Sequence, residues 1–346
     1  MKYFITGMSG FIGSNLARQL ATDGHRINAI IRNPASNDLL DLPDIQLFKG
    51  DLQDRRVLRE AMDGCDMAFH LAAFAKPWSK DPGECRRINV EGTINVYDAA
   101  MECGLKRVVF TSSAATMSPS EGRLPVSEST PRTVPFFNDY EITKTKAEQI
   151  SRAYCDKGLE VVIVNPSRVY GPGPLNPSNS VTRMIAGYYK GTWKIIPGNG
   201  RKIGNYVFID DVVYGHLLAA RKGRPGERYI LGGQNISFDE LFQTLERVTG
   251  KSHRMFHLPV SIMTLAAKLM ELQTPVTGIP PLITAAWVKK YLNHWSLTSD
   301  KAIRELGYQI TPFEEGAQRT IEWIMNKEAA EREHQTVVME RNVVPQ

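Results

Sequence analysis

The sequence predicts a doubly wound α/β fold, a parallel sheet covered by helices on both faces, followed by a smaller C-terminal α/β region. Three observations carry that prediction. Short apolar runs alternate with helix-patterned segments through the first half; a glycine-rich turn joins the first run to the first helix; and after Asn165-Pro166 the segments shorten between prolines and glycines.

The runs Tyr3 to Thr6, Ile27 to Ile31, Ile45 to Phe48, Met67 to Leu71, Val108 to Thr111 and Val161 to Val164 read as strands. Phe11 to Ala21, Arg55 to Met62, Glu84 to Cys103 and Tyr140 to Asp156 read as helices in most of the gaps. Strands joined by helices imply right-handed crossovers and a sheet buried on both faces. Gly171-Pro-Gly-Pro174, Pro177 and Gly198-Asn-Gly200 then punctuate a second region without internal repeats. Within it, Ser237-Phe-Asp-Glu240 predicts a capping box ahead of Leu241, Leu245 and Val248. The expected organisation is residues 1–165 with a return segment near 205–222, a substrate-binding region over 166–327, and a polar tail over 328–346, poorly ordered beyond about Lys327.

Composition narrows the function. The chain has 346 residues, 42% hydrophobic and 23% charged, enough to bury a substantial core unaided. A formal charge of +5 with no Lys/Arg block interleaved with aromatics argues against a nucleic-acid partner and mildly favours an anionic ligand. Cys65, Cys85, Cys103 and Cys155 lack C-x-x-C spacing, so neither a zinc knot nor a disulfide framework is expected. His253 and His257 have no accompanying acidic or thiol ligands and are read as surface or strand histidines, with no metal. The chain starts directly into a strand pattern, without a signal peptide's apolar segment; with the unpaired cysteines, this sets a reduced, cytoplasmic expectation. No run is long enough to span a bilayer. The apolar residues Ile262, Met263, Leu265, Leu269, Met270, Leu282, Ile283 and Trp287, between Pro259 and Trp295, are expected in core and substrate-pocket helices rather than in peripheral membrane contact.

Thr6-Gly-Met-Ser-Gly-Phe-Ile-Gly13 joins the first strand to the first helix, where a Rossmann-type fold holds a dinucleotide pyrophosphate. Gly7, Gly10 and Gly13 permit a tight turn, close backbone approach and helix–strand packing, and the helix start at Phe11 and Ile12 offers free N–H groups to phosphate. The spacing is G-x-x-G-x-x-G rather than the G-x-G-x-x-G of many dehydrogenases. At the end of the second strand, where an acidic residue would hold the ribose of NAD, stands Arg32, in Ile30-Ile31-Arg32-Asn33-Pro34. A guanidinium grips a 2′-phosphate bidentately, so NADP(H) is favoured and NAD(H) stays possible. Asp51 and Leu52 are placed to meet adenine, and Leu71, Ala72 and Ala73, after His70, to lie beside the cofactor.

Tyr140 and Lys144 are four residues apart on a predicted helix, so a phenol and an ammonium share one face and can move a proton. Thr6-Gly-x-x-Gly-x-x-Gly13, Asp51-Leu52, His70-Leu-Ala-Ala73, Ser112-Ser113, Tyr140-x-x-x-Lys144, Asn165-Pro-Ser-Arg-Val-Tyr-Gly-Pro-Gly173, Phe208-Ile-Asp-Asp211 and Ala302-Ile-Arg-Glu-Leu-Gly-Tyr308 together resemble the extended short-chain dehydrogenase/reductase superfamily. Arg32 and Phe110-Thr-Ser-Ser113 look most like its dihydroflavonol reductase and 3β-hydroxysteroid dehydrogenase branches.

The resemblance implies roles. Tyr140 would be general acid/base, Lys144 its activator and a ribose ligand, and Ser113 the hydroxyl on the substrate oxygen, with Ser112 as the neighbouring alternative. Asn89 would support the site from behind; Pro166 and Ser167 would lie along the nicotinamide, and Arg168 would face substrate or brace its loop. It implies a ketone reductase or alcohol dehydrogenase acting on a lipophilic ketone or alcohol. A nucleotide-sugar 4-epimerase with bound NAD is the alternative, in which Arg183, Arg201 and Lys202 would meet a diphosphate. Gly204-Asn-Tyr206, where sugar-nucleotide enzymes often carry Arg-Asp-Tyr, speaks against the epimerase, and Ala114 and Ala115 remove the acids a 4,6-dehydratase needs. A cofactor-sensing regulator is disfavoured because Tyr140 and Lys144 are both present. A homodimer through the 84–103 and 140–156 helices is a further expectation.

Overall fold

The computed structural model describes residues 1–33, 42–76, 78–175, 179–281 and 283–342, with the side chains of 275, 276 and 334–342 outside the description. The readings at Pro34, Pro177 and Leu282 therefore lie outside the described residues.

The large sheet is built in the order of the apolar runs. β1 (Lys2–Thr6), α1 (Phe11–Thr22), β2 (Arg26–Ile31), β3 (Ile45–Lys49), α2 (Arg55–Met62) and β4 (Met67–His70) form its first half. A short α3 (Glu84–Arg86) and a π-helical turn (Arg87–Glu91) lead into α4 (Gly92–Glu102), followed by β5 (Arg107–Thr111), α5 (Asp139–Cys155) and β6 (Glu160–Pro166). β1, β2 and β6 are buried along nearly their whole length because apolar side chains project from both faces, whereas β3, at the sheet edge, is only partly buried. One core layer contains Phe4, Val57, Tyr97, Phe110 and Ile163; the other contains Ile5, Leu16, Val109, Val164, Phe208 and Val212.

The second region begins with β7 (Arg168–Tyr170), α6 (Ser180–Tyr189), β8 (Ile195–Pro197) and β9 (Ile203–Phe208). The chain then returns to the large sheet through α7 (Ile209–Lys222) and β10 (Arg228–Leu231), which pairs parallel with β6. The sheet order is β10-β6-β5-β4-β1-β2-β3, with its reversal between β1 and β4. β10 lies past the return segment expected near 205–222, and β9 pairs elsewhere; Arg-Tyr-Ile-Leu is too short a run to announce a central-sheet neighbour. β11 (Gln234–Ser237), α8 (Phe238–Thr249), β12 (Phe256–Leu258), α9 (Val260–Thr277), α10 (Ala285–Tyr291), α11 (Asp300–Leu306) and α12 (Phe313–Asn342) complete the chain. β11-β9-β7 and β12-β8 form two small sheets. Ser237 and Glu240 make the reciprocal capping box at the start of α8.

Three readings are corrected here. The 84–103 helix is interrupted by the π turn carrying Asn89. The tail beyond Lys327 continues as helix to Asn342, with Lys327 and Glu331 one turn apart on its face. On α9, Met263 and Ala267 pack against Val288 of α10, but Ile262, Leu265 and Leu269 are 52%, 60% and 51% exposed. With α10 covering one side of α9, only one stripe is buried, and periodicity could not reveal which. No helix among the described residues is long and apolar enough to cross a membrane.

The two regions are pinned by a buried carboxylate. Glu141, fully buried on α5, meets Arg132 at 2.8 Å and Lys290 of α10 at 3.0 Å, and accepts from Phe137 N at 3.1 Å. Removing this charge strands two partly buried cations. Glu141→Gln is expected to lower unfolding stability by roughly 3 kcal/mol, read as a lower urea midpoint; an unchanged midpoint would refute the pinning.

Candidate active site

The sheet reversal between β1 and β4 opens a crevice at the carboxyl ends of the strands. Gly7, at the end of β1, has φ +74°, and a Cβ there would lie 2.6 Å from Ala72 N. A Cβ on Gly13 would lie 2.2 Å from Gly7 O. These two positions require glycine, and they bring the start of α1 against the end of β1. Gly10 caps α1 without a side chain, and no acidic residue occupies the first turn, so the helix end meets the crevice with its N–H groups uncompensated. Phe11 is buried beneath Gly173 and Ile12 is partly buried.

The wall opposite is uncharged. Thr6 Oγ1 bonds His70 Nδ1 at 2.7 Å and accepts from Ala72 N at 3.1 Å, while His70 Nε2 reaches Thr93 Oγ1 at 3.0 Å. Burial, aided by the Lys144 charge, pushes His70 down to about 3, so it acts as a neutral brace. Leu71 and Ala72 are partly buried and Ala73 is exposed. Arg32 is exposed at the end of β2. Asp51 is exposed, its carboxylate accepting from Gln53 N at 2.7 Å, and Leu52 is buried under Gly92. Arg32 and Asp51 thus stand at the ends of paired strands β2 and β3, on the same side as Gly7.

Tyr140 and Lys144 lie on α5, which Asn138 caps by accepting from Glu141 N at 3.0 Å. Lys144 is buried, donates from Nζ to Thr111 O at 2.8 Å and sits 4.7 Å from the Phe110 ring centroid. Desolvation pushes it down to about 8 against the opposing pull of Glu148. Tyr140 partly reaches the cleft; burial of its phenol raises its pKa, and a hydrogen bond with Ser113 lowers it. Ser112 and Ser113 diverge. Ser112 is buried and donates to Glu148 Oε1 at 2.5 Å, whereas Ser113 is partly exposed and faces the phenol.

Two polar groups behind this face carried no role in the sequence reading. Glu148 is one helical turn beyond Lys144 and accepts from Ser112, Thr116 (3.0 Å) and Asn165 (2.7 Å), with Arg228 at 3.3 Å. Its signal was the continued spacing Tyr140, Lys144, Glu148. Asn165 also donates to Ser113 O at 3.1 Å, tying β6 to β5 beneath the hydroxyl. Asn89, in the π turn, accepts from Phe74 N at 2.7 Å and donates to Phe74 O at 3.1 Å and to Thr143 Oγ1 at 3.0 Å, linking the loop after β4 to α5. Pro166 is buried at the end of β6, and Ser167 Oγ is buried with no hydrogen-bond partner among the described residues. An orphaned hydroxyl at one end of the crevice and a cradle that Cβ atoms would fill at the other fit a nicotinamide dinucleotide.

The second region holds a cavity of about 770 Å³, lined by Arg201, Lys202 and His257 and by apolar Val260, Met263, Val288 and Leu292. Arg183 is exposed on α6 and does not line it. His257 is paired with Asp239 at 3.1 Å, and His253 packs edge-on against Tyr188.

Known proteins resemble this chain over most of its length. The chain is 30% identical over 329 residues to a putative dihydroflavonol 4-reductase of Synechocystis, covering 94% of each. It is 34% identical over 277 residues to sterol demethylase protein B of Methylococcus capsulatus, covering 78% of this chain and 81% of that one. Among solved structures, gox2253 superposes with a TM-score of 0.78 at 33% identity, covering 94% of this chain and 98% of that chain. UDP-glucose 4-epimerase of Thermotoga maritima has a TM-score of 0.77 at 22% identity over 94% of this chain and 99% of that chain, a likeness of fold. The model of the NAD dependent epimerase/dehydratase family matches residues 3–232, and the chain is an enzyme belonging to that family, within the extended short-chain dehydrogenase/reductase superfamily and its dihydroflavonol reductase and 3β-hydroxysteroid dehydrogenase branch.

Proposed function

We propose that the protein interconverts a ketone and a secondary alcohol with NADP(H). The observation that carries this reading is the buried Lys144 ammonium, fixed on Thr111 O at 2.8 Å one helical turn behind Tyr140, with Ser113 rather than Ser112 left partly exposed beside it. A nicotinamide dinucleotide, when bound, supplies or accepts hydride. Gly7, Gly10, Phe11, Ile12 and Gly13 would hold its phosphates, Asp51 and Leu52 its adenine, Leu71, Ala72 and Ala73 its flank, and Pro166 and Ser167 its nicotinamide. The exposed guanidinium of Arg32 would grip the 2′-phosphate, which supports NADP(H) over NAD(H). The relatives named as reductases and as a 3β-hydroxysteroid dehydrogenase/decarboxylase support carbonyl–alcohol chemistry over epimerisation.

In reduction, Ser113 would orient the carbonyl oxygen and Tyr140 would donate the proton to it. Burial keeps the Tyr140 proton bound at neutral pH, which suits an acid. The phenolate left behind is stabilised by the Lys144 ammonium, and Thr111 O fixes that ammonium in place. Tyr140→Phe should lower kcat by about 10²-fold or more while leaving NADPH affinity within about threefold. Turnover at the parent rate would sink the catalytic assignment.

Lys144 gives the pH dependence. Its pKa is depressed to about 8, so the ammonium is present below that pH and lost above it. For ketone reduction, kcat/KM should be level below about pH 8 and fall as the pH rises beyond it. A profile level to the pKa of a free lysine would refute the role.

Cofactor choice is tested at Arg32. Arg32→Ala should weaken NADPH binding by about 10- to 100-fold and change NADH binding less than about threefold, measured by fluorescence titration. Equal losses for both cofactors would remove Arg32 from 2′-phosphate recognition.

A further inference from the structure

An arginine without a counter-ion among the described residues packs against Tyr291, one of the residues that line the cavity. Arg168 opens β7, three residues after Asn165, whose amide touches the Ser113 carbonyl. The side chain is partly buried and donates from Nη1 to the Tyr206 hydroxyl at 3.1 Å. Ring centroids of Tyr291, Tyr206 and Phe238 lie 5.1, 5.4 and 5.9 Å from its Cζ. Among the described residues no Asp or Glu pairs with it, and the nearby Glu141 already meets Arg132 and Lys290. An arginine carries five N–H donors in a fixed fork, and Arg168 uses the Nη1 group alone for a protein hydrogen bond.

Desolvating a guanidinium is costly, and aromatic faces offset only part of that cost. The fold nevertheless makes room for it. A Cβ on Gly204 would lie 2.4 Å from Arg168 Nη1, so the glycine of β9 is what allows the guanidinium to sit there. Tyr291 belongs to both environments: it packs on Arg168 and lines the cavity beside Val260, Met263, Val288 and Leu292. Arg201 and Lys202, also lining it, have no carboxylate partner among the described residues either. Tyr291 thus separates a partly buried cation from an apolar chamber whose own lining carries Arg201 and Lys202.

Resting on the oxidoreductase reading of the site, we propose that Arg168 recognises the substrate's anionic group, so that the substrate is an amphiphile. Its apolar body occupies the cavity, and a carboxylate or phosphate monoester accepts hydrogen bonds from the free edge of the guanidinium. Both heads present two oxygens at the spacing of the fork. The ketone or alcohol carbon then lies on the Ser113 side of that head.

The test is binding, read by calorimetry on enzyme saturated with NADPH, with decanoate, decyl phosphate and decanol as probes. At least one anion should bind about tenfold or more tightly than decanol. Arg168→Gln should cost that anion about tenfold or more and leave decanol unchanged, and Arg168→Lys should restore part of the loss. Gly204→Ala should reproduce the Gln defect by displacing Nη1. NADPH affinity within about threefold of the parent certifies that each variant is folded. Preference for decanoate identifies a carboxylate substrate, and preference for decyl phosphate a phosphate monoester. The proposal is overturned if neither anion binds at millimolar concentration, if decanol binds as well as the anions, or if Arg201→Gln with Lys202→Gln abolishes anion binding while Arg168→Gln does not. Because the readout is affinity, it fails independently of Tyr140→Phe, whose turnover tests the oxidoreductase reading.

Discussion

A lysine ammonium held inside the protein is the interaction on which the rest of the site depends. Burying Lys144 without compensation would neutralise it or expel it from the interior. Thr111 O accepts a hydrogen bond from its Nζ at 2.8 Å, the Phe110 ring lies beneath it, and the Glu148 carboxylate is one turn away. Each compensator belongs to a different requirement of the fold. Thr111 is the last residue of β5, so its carbonyl is fixed by the sheet, and Glu148 is fixed by four donors, Ser112 and Thr116 from the turn after β5, Asn165 from β6 and Arg228 from β10. The position of α5 over the sheet is thereby set by polar geometry as well as by apolar packing.

The same network explains why two adjacent serines behave differently. Successive residues of extended backbone point to opposite sides. Ser112 satisfies Glu148 beneath the sheet end, and that assignment leaves Ser113 on the cleft side with Tyr140. Sequence counting could not separate them, because the deciding partner, Glu148, lies on another element. The glycines were legible for the opposite reason. Gly7, Gly10 and Gly13 act within eight residues of chain, where turn, cap and helix start are local, and the closest approaches involve backbone atoms of the turn itself and of the strand next door. The strands themselves likewise followed from short apolar runs alternating with helix-patterned segments.

What was not legible has a common physical cause. The π turn at Asn89 depends on a hydrogen bond to Phe74, which lies in a loop, and on Thr143 of α5; no local propensity encodes it. β10 joins the sheet because β6 offers a free edge, a property of assembly rather than of Arg-Tyr-Ile-Leu. On α9 the apolar residues exceed what one neighbouring helix can cover, so composition predicted burial and geometry withheld it. Local chemistry is written in the sequence; selection among equally apolar faces is made by whichever partner arrives.

Arg168 joins the two regions in the same currency of charge. Glu141 neutralises Arg132 and Lys290 from α5, and so it satisfies the cations nearest the Tyr140 turn. It cannot also satisfy Arg168, which is left with phenols and a phenyl ring. Were the guanidinium needed only to brace its loop, a neutral donor would make the Tyr206 hydrogen bond with less desolvation. A charge retained where a neutral group would brace as well is best explained by an opposite charge that arrives with the ligand.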